Sequence, residues 1–178
     1  THEPKPPDFY KEKLAFLRQP ASYPEQPAAV EARETRMSWV FLTDRFAYKL
    51  KKPLTTRHFD FATPALRRGY CEEEVRLNTR LAPDIYLGIV PLARAADGRL
   101  GLGGSGEAGE AVDWLVHMRR LPADRMLDAA IRDKTVSHAE IEAVADRLGD
   151  FYAAASPVPL PEPDYLAFYA EEQAVNRE

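Results

Sequence analysis

Lys49 sits in a strand-like run, Phe46-Ala47-Tyr48-Lys49-Leu50. Glu74 sits in a helix-like run, Cys71-Glu72-Glu73-Glu74-Val75-Arg76-Leu77-Asn78. A lysine fixed on a sheet and steered by a carboxylate on the next helix can set one ammonium against the inner phosphates of a nucleotide. That neutralises charge and leaves the terminal phosphoryl free. Which lysine and which glutamate is a question of spacing. Side chains alternate along a strand, so Lys49 and Lys51 share a face opposite Leu50, and periodicity alone leaves both open. Three adjacent glutamates point about 100° apart on a helix, so only one of Glu72, Glu73 and Glu74 can face the sheet. Glu74 shares its side with Leu77 and Leu81 and is the one expected to look inward, with Glu73 in reserve. The plainer alternative leaves all three in solvent, with Glu72 pairing Arg76 at i,i+4.

The elements that must position this pair can be read from pattern. Asp8 to Arg18 reads as a short amphipathic helix offering Phe9, Leu14, Phe16 and Leu17 to one face. The Pro-rich stretch Gln19 to Pro27 ends it and reads as a linker. Trp39-Val40-Phe41-Leu42, the turn Thr43-Asp44-Arg45 and Phe46 to Leu50 read as a β-hairpin. Thr63 and Pro64 are the N-cap and first residue of a helix expected to run to about Leu81. Ile85 to Leu92 and Trp114 to Met118 read as a second antiparallel pair joined by a Gly-rich connector. Two helices follow, about Met126 to Arg132 and Ser137 to about Ala155, the latter opened by a capping box from Ser137 to Glu140. After a Pro-rich break a last helix is expected from Tyr165. The order, an antiparallel sheet with one interposed helix and then helices only, is an α+β layout.

Totals limit the function classes. The chain has 178 residues, a formal net charge of −4 and 29% charged residues, so nothing draws it generally toward nucleic acid or an anionic membrane. Cys71 is the sole cysteine, which forbids an intrachain disulfide and suits a reducing cytosol. No apolar run approaches the roughly 20 residues that span a bilayer, and Thr1 to Pro7 lacks a signal-peptide core. The expectation is a cytoplasmic protein. Both ends look cut, and a fragment is expected. His2, His58, His117 and His138 show no metal spacing with Cys71 or with one another. No serine triad is supported, and Asp60 and Asp113 read as turn and strand-edge residues. Gly101-Leu102-Gly103-Gly104-Ser105-Gly106 is not a Walker loop, since no Gly-Lys-Ser/Thr follows; it reads as a hairpin tip.

Taken in order, Glu34 to Leu42, Tyr48 to Pro53, Phe59 to Thr63, Cys71 to Asn78, Ile85 to Gly88 and Met118 to Pro122 resemble the aminoglycoside-phosphotransferase branch of the protein-kinase-like fold. They look most like the amino-terminal domain of bacterial two-part proteins that join such a domain to a P-loop kinase. The resemblance spans almost the whole chain. It implies a helix and linker over 1–27, a kinase-like small lobe over 28–118, and a hinge with a partial helical large lobe over 119–178.

The resemblance also implies the site. It favours Lys49 over Lys51 and pairs it with Glu74. The turn from Arg33 to Ser38 would cover phosphates without the usual glycines, through backbone N–H groups and the Thr35 or Ser38 hydroxyls, with Arg36 either reaching a phosphate or lying in solvent. Met118, Arg119 and Arg120 would form the hinge that meets an adenine edge, with Leu115, Val116 and Met118 as apolar walls. The implied activity is γ-phosphoryl transfer from ATP to an alcohol, with Mg²⁺ held by residues outside this chain. The family's His-Gly-Asp segment is absent, so this segment alone is expected to be inactive. The acceptor is open, and a fragment dimer through exposed apolar surface is plausible. A non-catalytic nucleotide-binding or regulatory module is the alternative reading, and a plain interaction domain the third.

Overall fold

The computed structural model describes residues 8–103, 109–157, 159, 166, 167, 169, 170, 173 and 174. It is an α+β protein in two compact units, Thr1–Met126 and Leu127–Glu178.

The first unit is built on one antiparallel sheet of six strands in the order β1-β2-β3-β6-β4-β5. The strands are β1 (Glu31–Glu34), β2 (Ser38–Leu42), β3 (Phe46–Lys51), β4 (Tyr86–Arg94), β5 (Leu100–Leu102) and β6 (Glu110–Arg119). The expected hairpin is present: Thr43 N–H donates to Phe46 O, and Phe46 N–H donates to the Thr43 hydroxyl. The second expected pair, β4 with β6, is also present, and β5 is an additional short strand on the outer edge of β4. The β4–β6 register shifts at Gly88, whose φ of +136° lies where a β-carbon would be strained. Of the glycine run, Gly101 and Leu102 lie in β5 rather than in a hairpin tip, while residues 104–108 fall outside the described ones.

Cross-strand partners share a face. On one face Tyr48, Leu50, Phe41 and Leu115 form the core with Leu92 and Leu102. Helix α1 (Asp8–Leu17) closes that face by burying Tyr10, Lys13 and Leu17, spaced i, i+3 and i+7, with Leu14 and Phe16 beside them. The chain then turns through a 3-10 segment, Pro20–Ser22, and Tyr23 returns to the core. The Tyr23 hydroxyl donates to Leu17 O and the Ser22 hydroxyl to Phe16 O, satisfying carbonyls that the end of α1 leaves open. The expected helix is present as α1, and residues 8–27 supply aromatic and aliphatic side chains to this core.

On the opposite face the row Val40, Lys49, Val116 and Ile89 runs across four strands. Helix α2 (Pro64–Asn78) lies on this side, with Cys71 Sγ 3.8 Å from Trp114 O and the Arg68 guanidinium 4.5 Å from the Trp114 ring centroid. Thr63 caps it by accepting from Leu66 N–H, with Pro64 at the first position. It stops at Asn78, one turn earlier than expected, and a tight turn carries Leu81 and Ala82 back onto Asn78 O. After β6 the first unit continues to Met126.

In the second unit, α3 spans Leu127–Arg132 and α4 spans His138–Ala154. The capping box is present in full: Ser137 accepts from Glu140 N–H, and the Glu140 carboxylate accepts from Ser137 N–H. Ile141, Val144, Leu148 and Tyr152 form an exposed apolar stripe along α4. Most of the last expected helix lies outside the described residues. No helix among them is long and apolar enough to cross a membrane.

Candidate functional site

Lys49 and Glu74 meet. Lys49 Nζ donates to Glu74 Oε1 at 2.9 Å, and Lys51 Nζ donates to Glu74 Oε2 at 2.6 Å. One carboxylate therefore bridges two lysines that project from the same face of β3. Both lysines stand there because strand alternation separates them from Tyr48 and Leu50, which face the core.

The three side chains differ in access. Lys51 is 8% exposed, Glu74 15% and Lys49 30%. Lys51 is enclosed further by the Phe61 ring, whose centroid lies 5.2 Å from its ammonium. Phe61 is fixed by its N–H bond to Leu54 O and by edge packing on Tyr70. Burial pushes the Glu74 carboxyl toward its neutral form, but hydrogen bonds and charge from Lys51 and Lys49 more than offset this and hold its pKa below the usual carboxylate value. Tyr86, on β4, is raised by burial first and by the Glu74 charge second.

Glu74 faces inward for a different reason from the one expected. Leu77 and Leu81, the supposed inward companions, are exposed. The buried stripe of α2 is Arg67 and Cys71, and Glu74 continues it at i+7 and i+3. Glu73 points out and pairs with Arg76, while Glu72 pairs with Arg68. The Glu72–Arg76 pair of the plainer alternative is replaced by these two.

The remaining expected residues are placed as follows. Thr35 and Ser38 close the two-residue turn between β1 and β2. The Thr35 hydroxyl donates to Ser38 O at 2.9 Å and accepts from Ser38 N–H at 3.0 Å, and Ser38 is buried. Ser38 pairs across the strands with Lys51, which brings this turn to the lysine end of β3. Val116 lies directly beside Lys49 but is fully buried. Leu115 is on the opposite face, in the core, so it is no wall of this site. Met118 is half-buried between β3 and β4. The amides of Arg119 and Arg120 are already donated, to Ile85 O and Arg45 O, and the Arg119 side chain donates to Asp84 O.

A second ionic cluster was not legible in the sequence. Asp113, on the core face and fully buried, accepts from Arg67 Nε and Nη2 at 2.8 and 2.7 Å and from Lys13 Nζ at 2.7 Å. It lies just past the last β3–β6 pair, Leu50 with Leu115, where β3 has run out and side chains from α1 and α2 can both reach it. Arg67 also donates to Phe61 O and Ala62 O, so the loop that carries Phe61 is tied to the same guanidinium. The i, i+4, i+7 spacing of Arg67, Cys71 and Glu74 was the available signal. Asp60 is a turn residue, accepting from Thr55 Oγ1 and Ala62 N–H.

Among the described residues there is no cluster of His, Cys, Asp and Glu able to hold a metal ion. The Lys49–Glu74 geometry gives the site the chemistry of a paired, partly accessible ammonium. It suits a phosphate oxygen, and the carboxylate that aims it is too enclosed to meet ligand first.

The chain is 32% identical over 123 residues to an uncharacterized protein of Mycobacterium tuberculosis, the match covering 69% of this chain and 22% of that protein. An uncharacterized protein of Mycobacterium bovis matches with the same identity and coverage. The chain thus spans about a fifth of the length of the curated relatives it matches, at 22% coverage. No family model matches it. No solved structure matches it either.

Proposed function

We propose that this chain is the nucleotide-gripping portion of an ATP-dependent small-molecule phosphotransferase. Under this reading its first unit corresponds to the small lobe of a protein-kinase-like fold, and its second unit to the opening helices of the large lobe. The observation that carries it is the Lys49–Glu74 bond at 2.9 Å, made between a strand of an antiparallel sheet and α2, the helix that follows that strand. The donor set fits a polyphosphate: an accessible ammonium, held by an enclosed carboxylate, beside the β1–β2 turn. Lys49 would neutralise phosphate charge and fix its position, and Glu74 would aim Lys49.

On this reading the base lies near the end of β6. The amides of Arg119 and Arg120 are spent within the fold, which moves an adenine-facing N–H toward Leu121. Mg²⁺ and the acceptor alcohol belong to segments other than the first unit. Transfer is a property to assay on the longer protein.

The test is MgATP affinity of the wild type and of Lys49→Ala. One charge-assisted hydrogen bond corresponds to a loss of about tenfold or more. Equal affinities would remove Lys49 from the site. ATP binding without transfer by the longer protein would identify a non-catalytic nucleotide module.

A further inference from the structure

Glu74 has two lysine partners where aiming one ammonium needs only one. We propose that Lys51 is a positioning residue that keeps Glu74 charged and fixed while Lys49 is shared with the phosphates of a nucleoside polyphosphate. The inference rests on the nucleotide reading given above.

The geometry separates the roles of the two lysines. Each oxygen of Glu74 is committed to a different one, Oε1 to Lys49 and Oε2 to Lys51. Lys51 has the shorter bond, is 8% exposed and lies against the Phe61 ring, so it has little freedom to leave. Lys49, at 30% exposure, is the lysine open to a ligand. With a single partner, Glu74 would face a conflict. If Lys49 turned to a phosphate, a carboxylate only 15% exposed would lose its counter-charge, and that cost would be charged against ligand binding. With Lys51 in place, Lys49 can turn while Glu74 stays compensated. The other groups that act on Glu74 do not supply this. Tyr86 of β4 carries no positive charge, and the thiol of Cys71, on α2 itself, carries none either.

The test compares MgATP with adenosine on the full chain by titration calorimetry, for wild type, Lys51→Met and Lys51→Arg. Without Lys51, Lys49 is captured by Glu74 and less of it reaches phosphate. Lys51→Met is expected to weaken MgATP by about tenfold, the scale of one charge-assisted hydrogen bond. Adenosine affinity should stay within about twofold, and Lys51→Arg should restore most of the MgATP affinity. A merely structural Lys51 would move both ligands together, and that result, or no change in either, overturns the proposal.

A second measurement uses wild-type protein and so survives a variant that does not fold. The Glu74 carboxyl is followed by carbon NMR across pH, with and without saturating MgATP. It should titrate below the usual glutamate range in both states. A rise into the neutral range in the complex would show that Lys51 does not compensate Glu74. Wild type with no measurable MgATP affinity would overturn the nucleotide reading itself. Normal wild-type binding with an unaffected Lys51→Met would overturn the role of Lys51 alone.

Discussion

Replacing Asp113 with asparagine should be among the most damaging isosteric changes available in the first unit. The side chain is fully buried and accepts three bonds of 2.7–2.8 Å from Lys13 and Arg67, plus one from Trp114 N–H at 3.0 Å. Asparagine keeps the shape, removes the only negative charge that the two cations touch among the described residues, and turns an NH₂ donor toward donors. Breaking a buried ion pair costs about 3–5 kcal/mol, because the charge left behind has neither water nor counter-ion. Two stranded cations put this case toward the upper end. Domains of this size hold about 5–15 kcal/mol in total, so a third or more of the stability is at stake. At about 4 °C per kcal/mol the midpoint should fall by about 12–20 °C. Thermal and urea melts followed by circular dichroism read this directly. The triple variant Lys13→Met, Arg67→Met, Asp113→Leu should recover more than half of the loss, since an apolar replacement of the whole cluster strands no charge. A single variant melting within about 2 °C of wild type would refute the argument from stranded charge. So would a triple variant as unstable as the single one, which would assign the cost to packing.

Three further outcomes are expected. The folded state holds the Glu74 carboxyl below its usual 4.5, so the folded protein binds fewer protons than the unfolded chain and the stabilisation is complete above that pH. The stability gap between wild type and Glu74→Gln should therefore shrink as pH falls from about 5 to about 3, and urea midpoints with a constant gap would contradict this. Burial holds the His117 imidazole below its usual 6.5, with the Glu25 charge pulling weakly the other way, so the unfolded chain protonates first as pH drops. Stability should decline just below pH 6.5 in wild type and less so in His117→Phe, which keeps a ring against Tyr48; matching slopes would assign the effect elsewhere. Burial pushes the Cys71 thiol up to about 12, so iodoacetamide at mildly alkaline pH should label it only after urea unfolding; rapid native labelling would be the contrary result.

How much of this was legible depended on whether the signal was local. The β2–β3 hairpin, the Thr63 cap and the Ser137 capping box are short-range patterns, and each stands where the sequence places it. The meeting of Lys49 and Glu74 was legible because strand and helix periodicities each left few candidates. The error about Leu77 and Leu81 came from treating apolar character as the mark of an inward face. In α2 that face is Arg67, Cys71 and Glu74, which burial alone would penalise and partners across the sheet permit. The convergence on Asp113 from α1 and α2 needs the register of β6. No local pattern fixes that register, because β6 is inserted between strands that precede it in the chain.

That insertion also sets an order in time. β1, β2 and β3 come from one continuous stretch and can pair as soon as they are made, within microseconds for a hairpin. The other edge of β3 waits for β6, whose last paired residue is Arg119. At ribosomal rates of about 5–20 residues per second, the wait is on the order of several seconds. For that interval the strand bearing Lys49 is an open edge on a nascent chain, able to pair with the same strand on a neighbouring ribosome. Lys49, Lys51 and Lys52, crowded at its end, are the kind of residues that discourage such pairing. Lys49 and Lys51, which later bridge to Glu74, would first act with Lys52 as guards during synthesis, and neutralising the three would burden expression.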